Sequence, residues 1–222
     1  MNKLVLFDFD GTLADTAPDL GAAANVLRTR RGLPELPLEE YRHYASQGAR
    51  GLLKKGLDMT PDHPEYEAAR EEFLTEYEQG MTTRSTLFPG IRELLDGLQH
   101  SGYTWGIVTN KVEYLAVPLV VHLGLYTHCA ITVGGDTTPH PKPHPAPLLH
   151  AASKTGFDPA DAIYIGDDQR DIVAGRAAGM ATVIAAYGYC GNNTATLSAW
   201  EANAIAEEPG HLWEIIEQWA RG

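Results

Sequence analysis

Short runs of apolar residues recur along the chain, and most are followed by a stretch with helical periodicity. The runs of strand length cover residues 4–7, 105–109, 130–133, 162–165 and 181–185. Because each run is short, continuous and apolar, it predicts a strand buried on both faces of a sheet. Strands that alternate with helices predict an α/β fold built on a parallel sheet.

Amphipathic stretches beside these strands predict the helices that cover the sheet. They lie over residues 89–101, 113–123, 145–155 and 171–178. After the first strand the pattern changes to helices alone, predicted over residues 17–31, 38–45, 49–57 and 64–79 and separated by glycine and proline. We therefore expect an α/β catalytic core over residues 1–15 and 87–222, with residues 16–86 inserted as a helical cap.

Composition and charge narrow the class of protein. The 222 residues are 44% hydrophobic, which suits a globular protein with a sizeable core. A formal net charge of −12 disfavours nucleic acid and anionic membranes as partners. The two cysteines, Cys129 and Cys190, form no disulfide framework, and no apolar run suits a signal peptide or membrane span. We expect a cytoplasmic monomer or homodimer.

Two carboxylates, Asp8 and Asp10, follow directly after the first predicted strand. Open parallel sheets build their binding sites at the carboxyl ends of their strands. Two unpaired carboxylates at contact distance repel each other by about 1–4 kcal/mol, depending on the local dielectric. A divalent cation or phosphoryl-transfer chemistry would explain why both are there.

Polar clusters also follow three other predicted strands, and a parallel sheet would bring them to the same edge. They are Thr109-Asn110-Lys111, Lys142-Pro143 and Gly166-Asp167-Asp168-Gln169-Arg170-Asp171. The set has the parts that phosphate hydrolysis requires. An aspartate can attack phosphorus, and a second carboxylate can serve as acid and then base. Carboxylate ligands suit Mg²⁺, while hydroxyl and lysine groups can hold the phosphate oxygens.

The four clusters, in this order, resemble the motifs of the haloacid dehalogenase-like phosphohydrolases. The first motif is Asp8-Phe9-Asp10-Gly11-Thr12-Leu13-Ala14-Asp15-Thr16, and the resemblance extends over essentially the whole chain. It is strongest to the phosphoglycolate phosphatase-like branch, which has a helical cap. The resemblance implies a Rossmann-like parallel sheet core with that cap inserted after the first strand.

The resemblance also implies the catalytic and metal-binding roles. Asp8 is similar to the family's nucleophile and metal ligand. Asp10 is similar to its acid–base residue and would bind Mg²⁺ through its backbone carbonyl. Asp167 resembles the third protein ligand, which Asp171 would support through water or a hydrogen bond. Asp168 is a weaker candidate for such support, because an acid there also suits the first turn of a helix.

Five further residues are candidates for holding the substrate. By resemblance, Thr109, Asn110 and Gly11 would bind the phosphate, and Lys142 would orient Asp8 and neutralise phosphate charge. Arg50 follows a glycine step before a predicted helix of the cap, from where a guanidinium could clamp a carboxylate or phosphate. The alternative for Arg50 is a solvated arginine at a helix start.

The resemblance implies a Mg²⁺-dependent phosphatase that acts on a small phosphate monoester through an aspartyl phosphate. Phosphoglycolate is the first candidate substrate. N-acetylmuramic acid 6-phosphate is an alternative, because residues 45–50 resemble that subgroup. A sugar phosphomutase and a non-enzymatic phosphate sensor also remain open. A dehalogenase is disfavoured, since phosphoryl transfer is the chemistry that needs the carboxylate of Asp10.

Overall fold

A six-stranded parallel sheet carries the sequence motifs. The computed structural model describes residues 3–190 and 194–222. The strands are β1 (Leu4–Phe7), β2 (Ala14–Asp15), β3 (Thr86–Leu87), β4 (Thr104–Val108), β5 (Thr132–Val133), β6 (Ala162–Gly166), β7 (Ala181–Ala185) and β8 (Ala204–Ala206). The sheet order is β5-β4-β1-β6-β7-β8, and β2 pairs with β3 separately. Strand β1 therefore lies inside the sheet, between β4 and β6.

Helices cover this sheet and form most of the inserted segment. They are α1 (Ala17–Arg30), α2 (Gly48–Leu57), α3 (Tyr66–Gly80), α4 (Ile91–His100), α5 (Glu113–His122), α6 (Ala146–Thr155), α7 (Gln169–Ala177), α8 (Thr194–Ser198) and α9 (His211–Arg221), with 3₁₀ segments at Leu38–Gln47 and Pro159–Asp161. Leu148 of α6 and Ala174 of α7 share one buried core cluster with Leu6 and Val133. Among the described residues, no helix has the length and apolarity needed to cross a membrane.

The burial of β1 sets the position of the motif that follows it. All four of its side chains are fully buried, and each such side chain contributes about 1.5–3 kcal/mol of transfer free energy. Phe7 is in register with Ile107 of β4 and Ile165 of β6. The residues that come next on the three strands are therefore neighbours at one edge of the sheet.

The chain divides into two compact units. One comprises Met1–Ala14 and Leu87–Gly222, and the other comprises Asp15–Thr86. In the second, helical unit, α1, α2, α3 and the 3₁₀ segment at Leu38–Gln47 enclose a core that contains Tyr41 and Phe73. The hydroxyl of Tyr41 donates to Asn25 Oδ1 at 2.8 Å, so this core also satisfies a buried polar pair.

The expected parallel α/β fold is confirmed, and three elements differ in detail. The segment predicted as a helix over residues 38–45 is 3₁₀, and it begins after Pro37 with a bond from the Glu40 N–H to the Pro37 carbonyl. The strand predicted over residues 130–133 is only Thr132–Val133. Strand β8 was not predicted, because its run of three apolar residues at the sheet edge is too short to signal a strand.

Candidate active site

Asp8 stands where β1 ends, and backbone bonds hold it there. Its N–H donates to the carbonyl of Ile165 at 2.8 Å, which extends the β1–β6 pairing by one residue. Oδ1 of Asp8 accepts the N–H of Phe9 at 2.7 Å and lies 3.0 Å from Lys142 Nζ. The carboxylate is therefore oriented by a neighbour in sequence and by a lysine from a distant loop.

The chain turns sharply after Asp8, and the turn presses against Asp167. The carbonyl of Phe9 accepts the N–H groups of Thr12, Leu13 and Ala14. Gly11 has φ +84°, and a Cβ added there would lie 2.3 Å from Oδ2 of Asp167. Only glycine suits both the left-handed backbone and this close approach.

Asp167 is fully buried and receives hydrogen bonds from two loops. The hydroxyl of Thr12 donates to its Oδ1 at 3.1 Å, and the N–H of Tyr189 donates to its Oδ2 at 2.9 Å. A Cβ added at Gly188 would lie 2.5 Å from the Asp167 side chain, so backbone lies close on this side too. The carboxylate is thus held between the loop that follows β1 and the loop that follows β7.

Lys142 joins the carboxylates of two motifs. Its ammonium lies 3.0 Å from Asp8 Oδ1 and 2.7 Å from Asp171 Oδ1. It also lies within hydrogen-bond distance of the Val108 carbonyl and the Tyr164 hydroxyl, at 3.0 and 2.6 Å. The side chain is almost fully buried, which is rare for a lysine and requires such partners.

Asn110 fastens the loop of Lys142 to the end of β4. Its side-chain amide donates to the Lys142 carbonyl and accepts the Lys142 N–H, both at 2.9 Å. Thr109, which precedes it, is buried, and its hydroxyl accepts the N–H of Lys111 at 3.1 Å. The side chain of Asn110 therefore positions the lysine, and a phosphate contact from this residue would come from its backbone.

Asp10 forms an ion pair that the sequence analysis did not predict. Lys111 Nζ lies 3.1 Å from Asp10 Oδ1, and both side chains are largely buried. In the sequence, Lys111 is only one member of the cluster Thr109-Asn110-Lys111. Its position directly after Asn110 was the available signal, but only the fold brings it to the first motif.

Asp168 and Asp171 form the capping box of α7. Asp168 accepts the N–H of Arg170 at 2.9 Å, and Asp171 Oδ2 accepts the N–H of Asp168 at 3.0 Å. The guanidinium of Arg170 also grips both oxygens of Asp168, at 2.8 and 2.9 Å. Asp168 therefore serves the helix start, while Asp171 serves both the helix and Lys142.

Arg50 belongs to the helical unit and not to the unit that holds the other predicted residues. It is the third residue of α2, and its side chain is exposed. Its role toward a substrate stays a prediction.

Burial and neighbouring charges change the pKa values of the ionisable side chains in the site. Burial raises the pKa of Asp8 to about 7, with Asp171 and Asp10 adding to the rise and Lys142 opposing it. Burial, together with Asp8 and Asp171, raises the pKa of Asp167 well above its usual range. Burial by itself would lower the pKa of Lys142, but the carboxylates of Asp171 and Asp8 outweigh that effect and raise it.

The carboxylates form a group that could hold a metal ion. Ligand oxygens of Asp8, Asp167 and Asp171 lie within 4.8 Å of one another. When all three carboxyl groups are ionised, the single ammonium of Lys142 leaves two of their negative charges uncompensated. A divalent cation with oxygen ligands fits this deficit. Within this group, Asp171 has one oxygen 2.7 Å from the Lys142 ammonium and the other on the Asp168 N–H.

Comparison with known proteins is consistent with this geometry. The family model of the haloacid dehalogenase-like hydrolases matches residues 5–185. A phosphoglycolate phosphatase of Xanthomonas campestris pv. campestris is 44% identical over 212 residues, 96% of this chain and 95% of that protein. An N-acetylmuramic acid 6-phosphate phosphatase of Pseudomonas aeruginosa is 38% identical over 216 residues, 97% of this chain and 95% of that protein.

The fold also matches a solved structure. The crystal structure of a predicted phosphoglycolate phosphatase from Haemophilus somnus superposes with a TM-score of 0.84 at 28% identity, covering 96% of this chain and 97% of that one. Family model, relatives and fold agree with the order of the four motifs. The chain belongs to the haloacid dehalogenase-like hydrolase family, in its phosphoglycolate phosphatase-like branch, and is a phosphatase.

Proposed function

We propose that this phosphatase hydrolyses a small phosphate monoester through a covalent phosphate on Asp8, with Mg²⁺ as its cofactor and phosphoglycolate as its first substrate. The observation that carries the proposal is the buried carboxylate group with its deficit of positive charge. Such a deficit is costly in a protein interior, and a divalent cation offsets it.

The residues divide the reaction between them. The carboxylate of Asp8 attacks phosphorus while the bond from phosphorus to the leaving oxygen breaks, and Asp10 gives that oxygen its proton. Asp10 then takes a proton from water, which attacks phosphorus and breaks its bond to Asp8. Inorganic phosphate leaves, and both carboxylates return to their starting states.

Asp8, Asp167 and the backbone carbonyl of Asp10 would hold the Mg²⁺. When bound, this ion would offset the charge on the phosphoryl oxygens. Lys142 supports Asp8 and supplies a positive charge near the same oxygens. Thr109, Gly11 and the backbone of Asn110 are the proposed phosphate contacts at the ends of β1 and β4.

Substrate choice is assigned in this proposal to the helical unit, Asp15–Thr86, as a cap. Its exposed Arg50 has the fork geometry that binds a carboxylate with two hydrogen bonds. Phosphoglycolate carries such a carboxylate, and the Xanthomonas campestris relative is a phosphoglycolate phosphatase. The second candidate, N-acetylmuramic acid 6-phosphate, also carries a carboxylate and is supported by the Pseudomonas aeruginosa relative. Cytoplasmic location and a monomeric or dimeric state remain predictions from the sequence.

A phosphate-release screen tests the proposal. The substrates are phosphoglycolate, N-acetylmuramic acid 6-phosphate, a hexose phosphate, pyrophosphate and an aryl phosphate, each with Mg²⁺ and with chelator. We expect kcat/KM for phosphoglycolate to exceed that for the other compounds by about tenfold or more. Arg50→Ala should lose this preference and keep its turnover of the aryl phosphate.

Other outcomes of the screen would redirect the proposal. A preference for N-acetylmuramic acid 6-phosphate would move the assignment to the second candidate. Isomer formation without phosphate release would indicate a mutase. Turnover that survives chelation would refute the metal, and equal low rates on every compound would leave the substrate class without support.

A further inference from the structure

The hydroxyl of Tyr164 lies at the centre of the hydrogen bonds beneath the carboxylates, and the reaction proposed above makes no use of it. Tyr164 is the third residue of β6, and its side chain is fully buried. Its hydroxyl oxygen lies 2.8 Å from the Val108 carbonyl, 2.6 Å from Lys142 Nζ and 3.2 Å from Asp171 Oδ1. One uncharged group thus contacts two charged residues and a backbone acceptor.

The strand register shows how far this side chain reaches. Tyr164 pairs with Leu6 of β1, and Leu6 pairs with Gly106 of β4. Strand β1 therefore separates Tyr164 from β4, and the ring must span β1 before its hydroxyl meets the carbonyl of Val108, the last residue of β4. A smaller residue at position 164 would not reach it.

Counting donors and acceptors assigns the hydroxyl a task. The ammonium of Lys142 has three protons. Four acceptors lie close to it: Asp8 Oδ1, Asp171 Oδ1, the Val108 carbonyl and the Tyr164 oxygen, at 3.0, 2.7, 3.0 and 2.6 Å. When the tyrosine gives its own proton to Val108, the three ammonium protons suffice for the other three acceptors.

Removal of the hydroxyl would leave the Val108 carbonyl without the hydrogen bond from Tyr164. The buried Val108 carbonyl would then have to take its hydrogen bond from Lys142, because an unpaired buried acceptor costs free energy. The three ammonium protons would still match the three remaining acceptors, but the ammonium would lose the oxygen that lies 2.6 Å from it and would be the only one of the two donors left for the Val108 carbonyl. Its N–H toward Asp8 would then no longer be held in place by the tyrosine. In the wild type, the hydroxyl therefore donates to the Val108 carbonyl, which would otherwise compete for an ammonium proton. It also contacts the ammonium itself.

We propose that Tyr164 is a positioning residue whose hydroxyl holds Lys142 with one N–H directed at Asp8. The inference rests on the proposed function, since that N–H matters for turnover only if Asp8 receives the phosphoryl group. It extends the proposed function by a residue that contacts neither substrate nor phosphate.

The test is Tyr164→Phe in the full-length chain, with kcat and KM measured on the best substrate of the screen. We expect kcat to fall by about tenfold, the size of one hydrogen bond to a charged group, while KM changes less than about twofold. Affinity for beryllium fluoride, a phosphoryl mimic, should fall with kcat. Tyr103→Phe is the matched control, because this buried tyrosine donates to Glu217 at 2.7 Å and should leave kcat unchanged.

A double-mutant cycle separates positioning from a general loss of stability. In a Lys142→Met background, Tyr164→Phe should lower kcat no further, because its effect passes through the lysine. The same tenfold loss in that background would overturn the proposal. So would unchanged kcat in Tyr164→Phe while Asp8→Asn is inactive, whereas an active Asp8→Asn would overturn the proposed function instead.

If Tyr164→Phe does not fold, a measurement on the wild-type protein still tests the proposal. In a crystal of the wild type with beryllium fluoride at Asp8, the Tyr164 oxygen should stay within about 3.2 Å of Lys142 Nζ. A separation beyond about 3.5 Å would contradict the positioning role.

Discussion

Each of the two units buries aspartate, and the two do so in opposite ways. In the helical unit, Asp19 is almost fully buried at the start of α1. Its carboxylate accepts the N–H groups of Arg84 and Ser85 at 2.9 and 2.8 Å and the Ser85 hydroxyl at 2.9 Å. The guanidinium of Arg84 lies 3.5 Å away. This carboxylate has complete donors and a compensating charge.

In the sheet unit, the group of Asp8, Asp167 and Asp171 has donors but too little positive charge. Burial, with mutual repulsion added to it, raises the pKa of Asp8 and of Asp167. Burial alone therefore does not identify a functional carboxylate. A buried acid with complete donors and a compensating charge stabilises the fold, whereas a buried group of carboxylates with uncompensated negative charge indicates a site for a cation.

Replacing a buried aspartate by asparagine should lower turnover in the sheet unit and stability in the helical unit. Asp8→Asn should have the largest effect. Loss of the nucleophile should lower kcat by about 10⁴-fold or more. Because one of the repelling charges is also removed, the free energy of unfolding without metal should stay level or rise. Phosphate release and urea unfolding measure the two quantities. Turnover within tenfold of wild type would remove Asp8 as the nucleophile.

Asp10→Asn should have the next largest effect. An asparagine keeps the backbone carbonyl but cannot transfer a proton, so kcat should fall by about 10²–10⁴-fold. Mg²⁺ affinity, measured by titration calorimetry, should change little by comparison. A large loss of Mg²⁺ binding with little loss of kcat would show that the carboxylate binds the ion and is not the acid–base group.

Asp19→Asn tests the other side of the comparison. An amide would set its N–H₂ against the donors of Arg84 and Ser85, so the protein should lose about 1–3 kcal/mol of stability. Urea unfolding measures that loss, while kcat per folded molecule should remain within about threefold of wild type. A variant of unchanged stability would contradict the structural role of Asp19.

The smallest predicted effect is the pH dependence of stability without metal. A carboxyl whose folded pKa is about 7 instead of 3.8 stabilises the protein when protonated, and this contribution is lost as pH rises from about 4 through 7. Mg²⁺ should therefore raise the Tm by about 5 °C or more at pH 8 and by clearly less at pH 5. Thermal unfolding at both pH values, with and without Mg²⁺, measures this, and Asp8→Asn should reduce the difference. An equal rise at both pH values would contradict it.

Local pattern was sufficient to predict much of the fold. Strand β1 and strand β7 appear with the predicted bounds, because a buried strand in a parallel sheet is a continuous apolar run. Gly156 ends α6 with φ +79°, as expected for a glycine at a helix end. Strand β8 and the 3₁₀ form of Leu38–Gln47 escaped prediction, because neither depends on a strong periodic signal of its own.

The candidate site was predictable only in part. Asp8, Lys142, Asp167 and Asp171 lie together, as expected from the sharing of one sheet edge. No pattern in the sequence showed that the Asn110 side chain is used to hold the Lys142 loop. These bonds depend on distances that spacing along the chain does not contain.

The amino-acid sequence alone located the main strands of the parallel sheet and the polar motifs that follow β1, β4 and β6. It did so because the hydrophobic effect acts on the local arrangement of apolar side chains and parallel strands end at one edge. The pairing of charged groups at that edge of the sheet depends on the folded structure. Tyr164 meets Val108, which is 56 residues away, and Lys142 meets Asp8 at the end of β1 and Asp171 in α7. Electrostatic and hydrogen-bond energies depend on separation in space, and that separation exists only once the chain has folded.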